Sequence, residues 1–267
     1  MSFTTVHVKC SEPDYMDISW SFDSGKHDSL SYTYTVERAE SPAGPYDTVA
    51  GPMRDRYSAR DYIAPRKRVW RSLYYRISAE GPEGIVTSEP TLCGPRPPLD
   101  GLEMTRLHNV LLREYVGRQC AVLSIRTFGD RCHTCYDTLT GRRTMSSCKT
   151  CWNTGFLRGY HKPILAYIQI DPSDKAQTNG RELVSEQVFA NSRMGIYPIV
   201  KPRDIIVERE GNKWRVNSVR QTERLRSPIH QEVSLTLIPP GDIEYKIPLK
   251  FPEDTEVRRA YSYKDDL

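Results

Sequence analysis

The sequence predicts a mainly β protein: an N-terminal β-sandwich, a short helix plus a four-cysteine module, and a small C-terminal β-barrel. Three observations lead there. Short strands of period two recur through residues 1–92 with turn residues between them. Two Cys-x-x-Cys pairs, Cys132/Cys135 and Cys148/Cys151, stand twelve residues apart. A second β-rich run follows them. The boundaries read as 1–93 for the sandwich, 94–119 for a linker and helix, 120–162 for the cysteine module, 163–249 for the barrel, and 250–267 for a polar, aromatic tail.

In the first part, Met16, Ile18, Trp20 and Phe22 fall on one face of a strand, and Tyr32, Tyr34 and Val36 on one face of the next. Ser41-Pro42-Ala43-Gly44-Pro45 is a turn, Tyr46–Val49 is a short strand, and the segment from Leu73 to Ala79 leads into the hairpin loop Glu80-Gly81-Pro82-Glu83-Gly84. Arg54–Arg71 is long and basic, and reads as a loop reaching a neighbour. The run Cys93-Gly94-Pro95-Arg96-Pro97-Pro98 is a stiff linker, because each proline fixes φ. Beyond it Asp100 reads as the cap of a helix running to about Gln119. Leu102, Leu107, Val110, Leu111 and Tyr115 form one apolar stripe, read either as core or as a partner-facing surface.

The cysteine spacing has a chemical meaning. Two residues between the members of a pair let the backbone turn so that both sulfurs face one ion. Four thiolates fill a tetrahedron, so Cys132, Cys135, Cys148 and Cys151 predict a structural Zn²⁺ with no open position for water or substrate. Seven cysteines, four of them in metal spacing, fit a reducing compartment better than a disulfide framework. Cys10, Cys93 and Cys120 read as buried thiols.

Composition narrows the remaining classes. The net charge of +4 is uneven: residues 1–99 carry −1, residues 100–165 carry +5, and residues 166–267 are neutral. That is too mild to require nucleic acid, although Arg142 and Arg143 at the tip of the module are candidate contacts. No apolar run approaches the roughly 20 residues of a membrane span, and the first residues lack a secretory pattern. There is no Gly-x-Ser-x-Gly elbow, Walker loop or Gly-x-Gly-x-x-Gly run, and no two of the six histidines stand four apart, so no enzyme is expected.

In the last part, Ile164–Ile170 is a strand, Asp171–Asn179 a polar loop, and Gln187–Ser192 is ambiguous between element types. Asp204–Arg209, Glu210-Gly211-Asn212 and Lys213–Val219 make a hairpin, and Gln231–Ile238 a strong strand.

Four resemblances follow from these residues. The Trp20 strand, Tyr34-Thr35-Val36-Glu37-Arg38 with Gly44-Pro45-Tyr46 after it, and Tyr75-Arg76-Ile77-Ser78-Ala79 resemble a fibronectin type III domain. That resemblance implies Trp20 between two sheets and Tyr75 at a strand corner. The run Cys151-Trp152-Asn153-Thr154-Gly155 resembles, in part, the Cys-x-Gly-x-Gly knuckle of the chaperone J-type zinc module, and the whole module resembles a zinc ribbon. Asp204–Val219 followed by Gln231–Ile238 resembles the β-barrel core of tailed-bacteriophage neck proteins: head–tail adaptors, stoppers and tail-completion proteins.

The last resemblance implies a structural virion protein made in the host cytoplasm. It implies a homo-oligomeric ring in the neck, against other neck, portal or tail proteins and away from any membrane. Loops such as Thr222–Pro228, with Arg224 and Arg226, would meet an adjacent protein or genomic DNA in transit. The zinc module would hold helix and barrel together, and the sandwich would project as decoration. The alternatives are a tail or baseplate component and a nucleic-acid-binding zinc-ribbon protein.

Overall fold

The computed structural model describes residues 1–12, 15–25, 27–62, 72–93, 98–137, 140–145, 147–174, 188–224, 227–249 and 251. The calls for a proline linker (over 94–97) and for the polar tail 250–267 fall on residues outside these, apart from Phe251; so do residues 63–71 of the loop read over Arg54–Arg71, in which Ser58–Asp61 form a strand instead. Arg226 also lies outside them. The chain divides into two compact units. One holds residues 1–108, 126–161 and 222–230, and the other holds 109–125, 162–221 and 231–267.

The strands of the first unit alternate because alternate side chains must reach opposite faces. β1 (Ser2–Glu12), β2 (Tyr15–Asp23) and β5 (Ser58–Asp61) form one sheet in the order β1-β2-β5. β3 (Thr33–Ala39), β4 (Asp47–Met53), β6 (Tyr74–Gly81) and β7 (Gly84–Thr87) form the second, ordered β4-β3-β6-β7, with β8 (Thr91–Leu92) also on β6. The inner faces meet in one core that contains Ile18, Trp20 and Phe22 from β2, Tyr34 and Val36 from β3, and Tyr75, Ile77 and Ala79 from β6. Trp20 lies between the sheets, 5.9 Å from the Tyr34 ring. Tyr75 donates its hydroxyl to the Asp61 carboxylate at 2.9 Å, which also receives Arg38 at 2.5 Å. Both charged groups are almost fully buried, so each depends on the other.

The helix differs from its sequence reading. α1 (Leu99–Leu111) begins one residue before Asp100, so Asp100 sits in the first turn and is not the cap. It ends eight residues short of Gln119, in a π turn over Leu112–Val116 closed by Gly117 N–H donating to the Leu112 carbonyl at 2.8 Å. The predicted apolar stripe is split. Leu102 is buried with Gly101, Thr105 and Leu112, while Leu107, Leu111 and Tyr115 face outward. The inward face clasps the start of β14 (Ser227–Leu237). Gly101 packs on Ser227, Thr105 donates to the Pro228 carbonyl at 3.1 Å, and His108 stacks on His230 with centroids 4.6 Å apart.

The second unit is built on a closed six-stranded barrel. β9 (Arg118–Leu123), β10 (Ile164–Asp174), β11 (Val188–Met194), β12 (Ile205–Glu208), β13 (Lys213–Arg224) and β14 run in the order β10-β11-β14-β13-β12-β9. Closure removes the sheet edges. β9 lies between β10 and β12, with Val122 opposite Ile164 on one side and Ile206 on the other. Val122, Ile168, Met194, Ile206, Trp214, Val216, Val233 and Leu235 fill the core. The amide of Gln231 holds the 195–200 segment: its nitrogen donates to the carbonyls of Gly195, Ile196 and Pro198 at 2.8–3.0 Å, and its oxygen accepts from Val200 N–H at 3.1 Å.

Several boundaries move. Residues 118–123, read from position 120 as the entry to the cysteine module, are a barrel strand. The polar loop expected from Asp171 begins as strand, since β10 continues to Asp174. The ambiguous stretch near 187–192 is strand β11 from Val188. Thr222–Pro228 is mostly strand: Thr222–Arg224 end β13 and Ser227–Pro228 begin β14.

Candidate metal centre

Residues 126–161 carry the four cysteines. All four are buried, and their sulfurs lie within 4.8 Å of one another. Cys132 Sγ and Cys148 Sγ are 3.8 Å apart, and Cys135 Sγ and Cys151 Sγ 3.3 Å. A tetrahedral thiolate shell with metal–sulfur bonds near 2.3 Å has edges of about 3.8 Å, so the cluster has the dimensions of a ligand cage and could hold a metal ion. The cage takes one knuckle from each cysteine pair.

Each knuckle is shaped by its own backbone. In the first, Tyr136 N–H donates to the Cys132 carbonyl and Thr144 N–H to the Cys135 carbonyl. In the second, Trp152 (φ 51°), Asn153 (φ 63°) and Gly155 (φ 83°) take left-handed conformations that turn the chain back under the sulfurs. Asn153 suits such a position, and its Oδ1 accepts Cys148 N–H at 3.0 Å. Cys132 N–H donates to the Gly155 carbonyl at 3.0 Å, which joins the knuckles.

Burial and backbone donors act on the thiols in opposite directions. Burial pushes the Cys135 and Cys151 thiols up, which favours the protonated form. Burial also pushes Cys148 up, but the N–H groups of Cys151 and Thr150 outweigh it and lower that thiol to about 6. Four buried thiolates without a positive centre would be prohibitively costly; with a divalent ion bound, each becomes a satisfied ligand.

The module rests on the sandwich. Arg126 is buried in an ion pair with Asp55 and donates from Nε to the Tyr160 carbonyl at 3.2 Å. Tyr57 meets the rings of Phe128 and His161 at 4.9 and 5.0 Å. Arg158 bonds Asp28 at 3.1 Å; burial raises the Asp28 carboxyl, but the Leu30 N–H and Arg158 outweigh it and hold it low. These partners lie in β-sandwich loops, where the sequence reading expected the module to tie helix to barrel.

The other candidate residues fare unevenly. Arg142 is exposed. Arg143 is spent within the module, since its guanidinium donates to the Asn153 carbonyl at 2.5 Å and braces the second knuckle. Arg224 is exposed at the end of β13. His133, inside the first knuckle, is exposed and lies outside the sulfur cluster, lining a cleft of about 490 Å³ with Asp23, Asp130 and Tyr136. Sequence reasoning missed Arg131, whose guanidinium lies over the rings of both Phe156 (4.1 Å) and Tyr136 (4.8 Å). It also missed Arg126. An arginine next to an apolar strand was the available signal, but its partner Asp55 lies 71 residues away. Of the remaining cysteines, Cys120 is fully buried in the barrel core and Cys93 is half-buried.

Among the described residues, no helix is long and apolar enough to cross a membrane. No protein-family model matches the chain, and no curated protein matches it. Among solved structures, the chain is similar to the chicken interferon gamma receptor alpha chain at 11% identity, over 73% of this chain and 89% of that one, with a TM-score of 0.25. At that TM-score the likeness carries no argument about fold or function.

Proposed function

We propose that this chain is a structural protein whose four cysteines hold one Zn²⁺, and that it serves in the neck of a tailed-phage virion as part of the head–tail connector ring. The observation that carries the structural reading is the closed shell of four buried sulfurs. Four protein ligands leave a metal no vacancy for substrate, and soft thiolates in a tetrahedral arrangement suit Zn²⁺. The ion would supply cohesion to a segment of 36 residues too small to build its own core. Its ion pair and ring contacts with the sandwich make the module a brace.

The neck assignment rests on the resemblance of the β12–β14 region to phage neck barrels, together with an added sandwich and a metal clamp in one chain. Copies would associate in a ring, and the exposed Arg142 and Arg224 would be offered to an adjacent virion protein or to DNA. A tail or baseplate position would use the same parts. The nucleic-acid-binding alternative is weakened by Arg143, which is engaged at Asn153.

Metal content and native mass of the purified chain, with and without a strong chelator, test the first part. About one zinc per chain and loss of folding on chelation are expected; a metal-free folded chain overturns it. For the second part, the chain should bind isolated phage neck rings. A chain that stays monomeric and never binds them refutes the neck reading. Steeply salt-dependent DNA binding without ring binding would favour the nucleic-acid alternative.

A further inference from the structure

Helix α1 and its π turn bury one face and leave the other bare. Along the outer face Leu107 is 54% exposed, Leu111 45% and Tyr115 81%, with Leu99 and Val116 beside them at 66% and 42%. At about 100° per residue, Asp100, Glu103, Leu107 and Leu111 follow one another along a single line. Together the five apolar side chains expose on the order of 500 Å², the size at which a patch on a folded protein marks an interaction site.

We propose that this face is a two-fold interface between two copies of the chain, in which α1 crosses its counterpart antiparallel near Asn109. In such an isologous contact each residue meets a partner the same distance beyond the axis. Leu107 then meets the second copy's Leu111, and Leu111 its Leu107. Glu103, whose carboxylate is held by Arg106 at 2.6 and 2.9 Å, faces the ring of the second copy's Tyr115.

Three features select a second copy as the occupant. Two such faces pressed together bury about 1,000 Å² in total, the threshold for a specific interface. The antiparallel crossing sets the positive end of each helix dipole beside the negative end of the other. The register sets Glu103 against the second copy's Tyr115, and the Glu103 charge is met by its own Arg106, so like charges do not meet across the seam. The pairing does not rest on the virion reading: a ring grows by head-to-tail contacts, whereas this contact closes at two chains.

Native mass of the full chain across roughly 1–100 μM, a range that brackets micromolar association, tests it. A two-chain species is expected for the wild type. Leu107→Glu alone and Leu111→Lys alone should each weaken it at least about tenfold. The double variant Leu107→Glu/Leu111→Lys sets opposite charges across the axis and should regain the two-chain species, which a merely misfolded helix would not do. A single-chain mass at every concentration overturns the proposal. So does a dimer or larger assembly that neither single variant weakens, and in that case a ring built through another surface stays open.

Discussion

A Cβ placed on Gly101 would sit 2.4 Å from the Ser227 Oγ and 2.6 Å from the Ser227 Cβ. The hydroxyl can rotate away, but the Cβ is fixed to the backbone of β14. Gly101 thus sets how closely α1 approaches that strand, against the general preference for alanine within a helix. Gly101→Ala should therefore destabilise the protein by about 1–2 kcal/mol despite its better helix propensity. Urea midpoints measure this. Gly101→Ala/Ser227→Gly should recover most of the loss, and a stabilised single variant would show that the approach is looser than described.

The sulfur cage gives the second prediction. Cys151→Ser should lower the metal content from about one ion per chain to near zero, and should lower the melting temperature by at least about 5 °C. A strong chelator should have the same effect on the wild type and little on the variant. A variant that melts like the wild type would mean that the cage contributes nothing to the fold.

Gln231 is 4% exposed and satisfies three carbonyls and one N–H of a single segment. Gln231→Leu keeps the volume but strands those backbone groups away from water. The expected cost is about 2–4 kcal/mol, read as a shift in urea midpoint. Hydrogen exchange should rise first at Val200. A neutral substitution would mean that the backbone of 195–200 finds partners without the amide.

Asp204 supplies a pH dependence. Burial pushes its carboxyl up to about 6, and the N–H donors of Ile125 and Lys201 only partly offset this. The folded pKa is thus above the unfolded value of about 3.9. The contribution of this group is full below about pH 4 and is lost as pH rises through 6. Asp204→Asn, which cannot ionise, lacks that loss. The asparagine variant is expected to be the less stable protein at pH 4, because its amide cannot accept both N–H bonds. From pH 4 to 7 the difference should move in its favour by up to roughly 3 kcal/mol. A difference that is flat across this window would place the Asp204 pKa near its ordinary value.

The local features were legible in the chain. Alternation through Met16–Phe22 and Tyr32–Val36 reports which side chains face a core, because a strand has only two faces. The Cys-x-x-Cys spacing reports a cage because a knuckle needs no distant residue to form. The hairpin around Gly211 was readable for the same reason: Gly211 takes φ 101°, which glycine alone adopts without strain.

What failed depended on distant partners. The stripe on α1 looked single because Leu102, Leu107 and Leu111 are all apolar; which of them is buried depends on where β14 lies, more than 100 residues later. Cys120–Leu123 looked like the entrance to the cysteine module because it precedes it, yet it pairs with β10 and β12.

By itself, then, the sequence determined the mainly β class, the inward faces of the strands and the cluster of four cysteines, since each follows from periodicity or spacing within a few residues. Only the tertiary structure decided the closure of the barrel through β9, the seating of the cysteine module on Asp55 and Tyr57, and the bare face of α1. Those depend on burial and pairing between segments far apart in the chain, and a buried charge or an exposed leucine acquires its meaning only once its neighbours are in place.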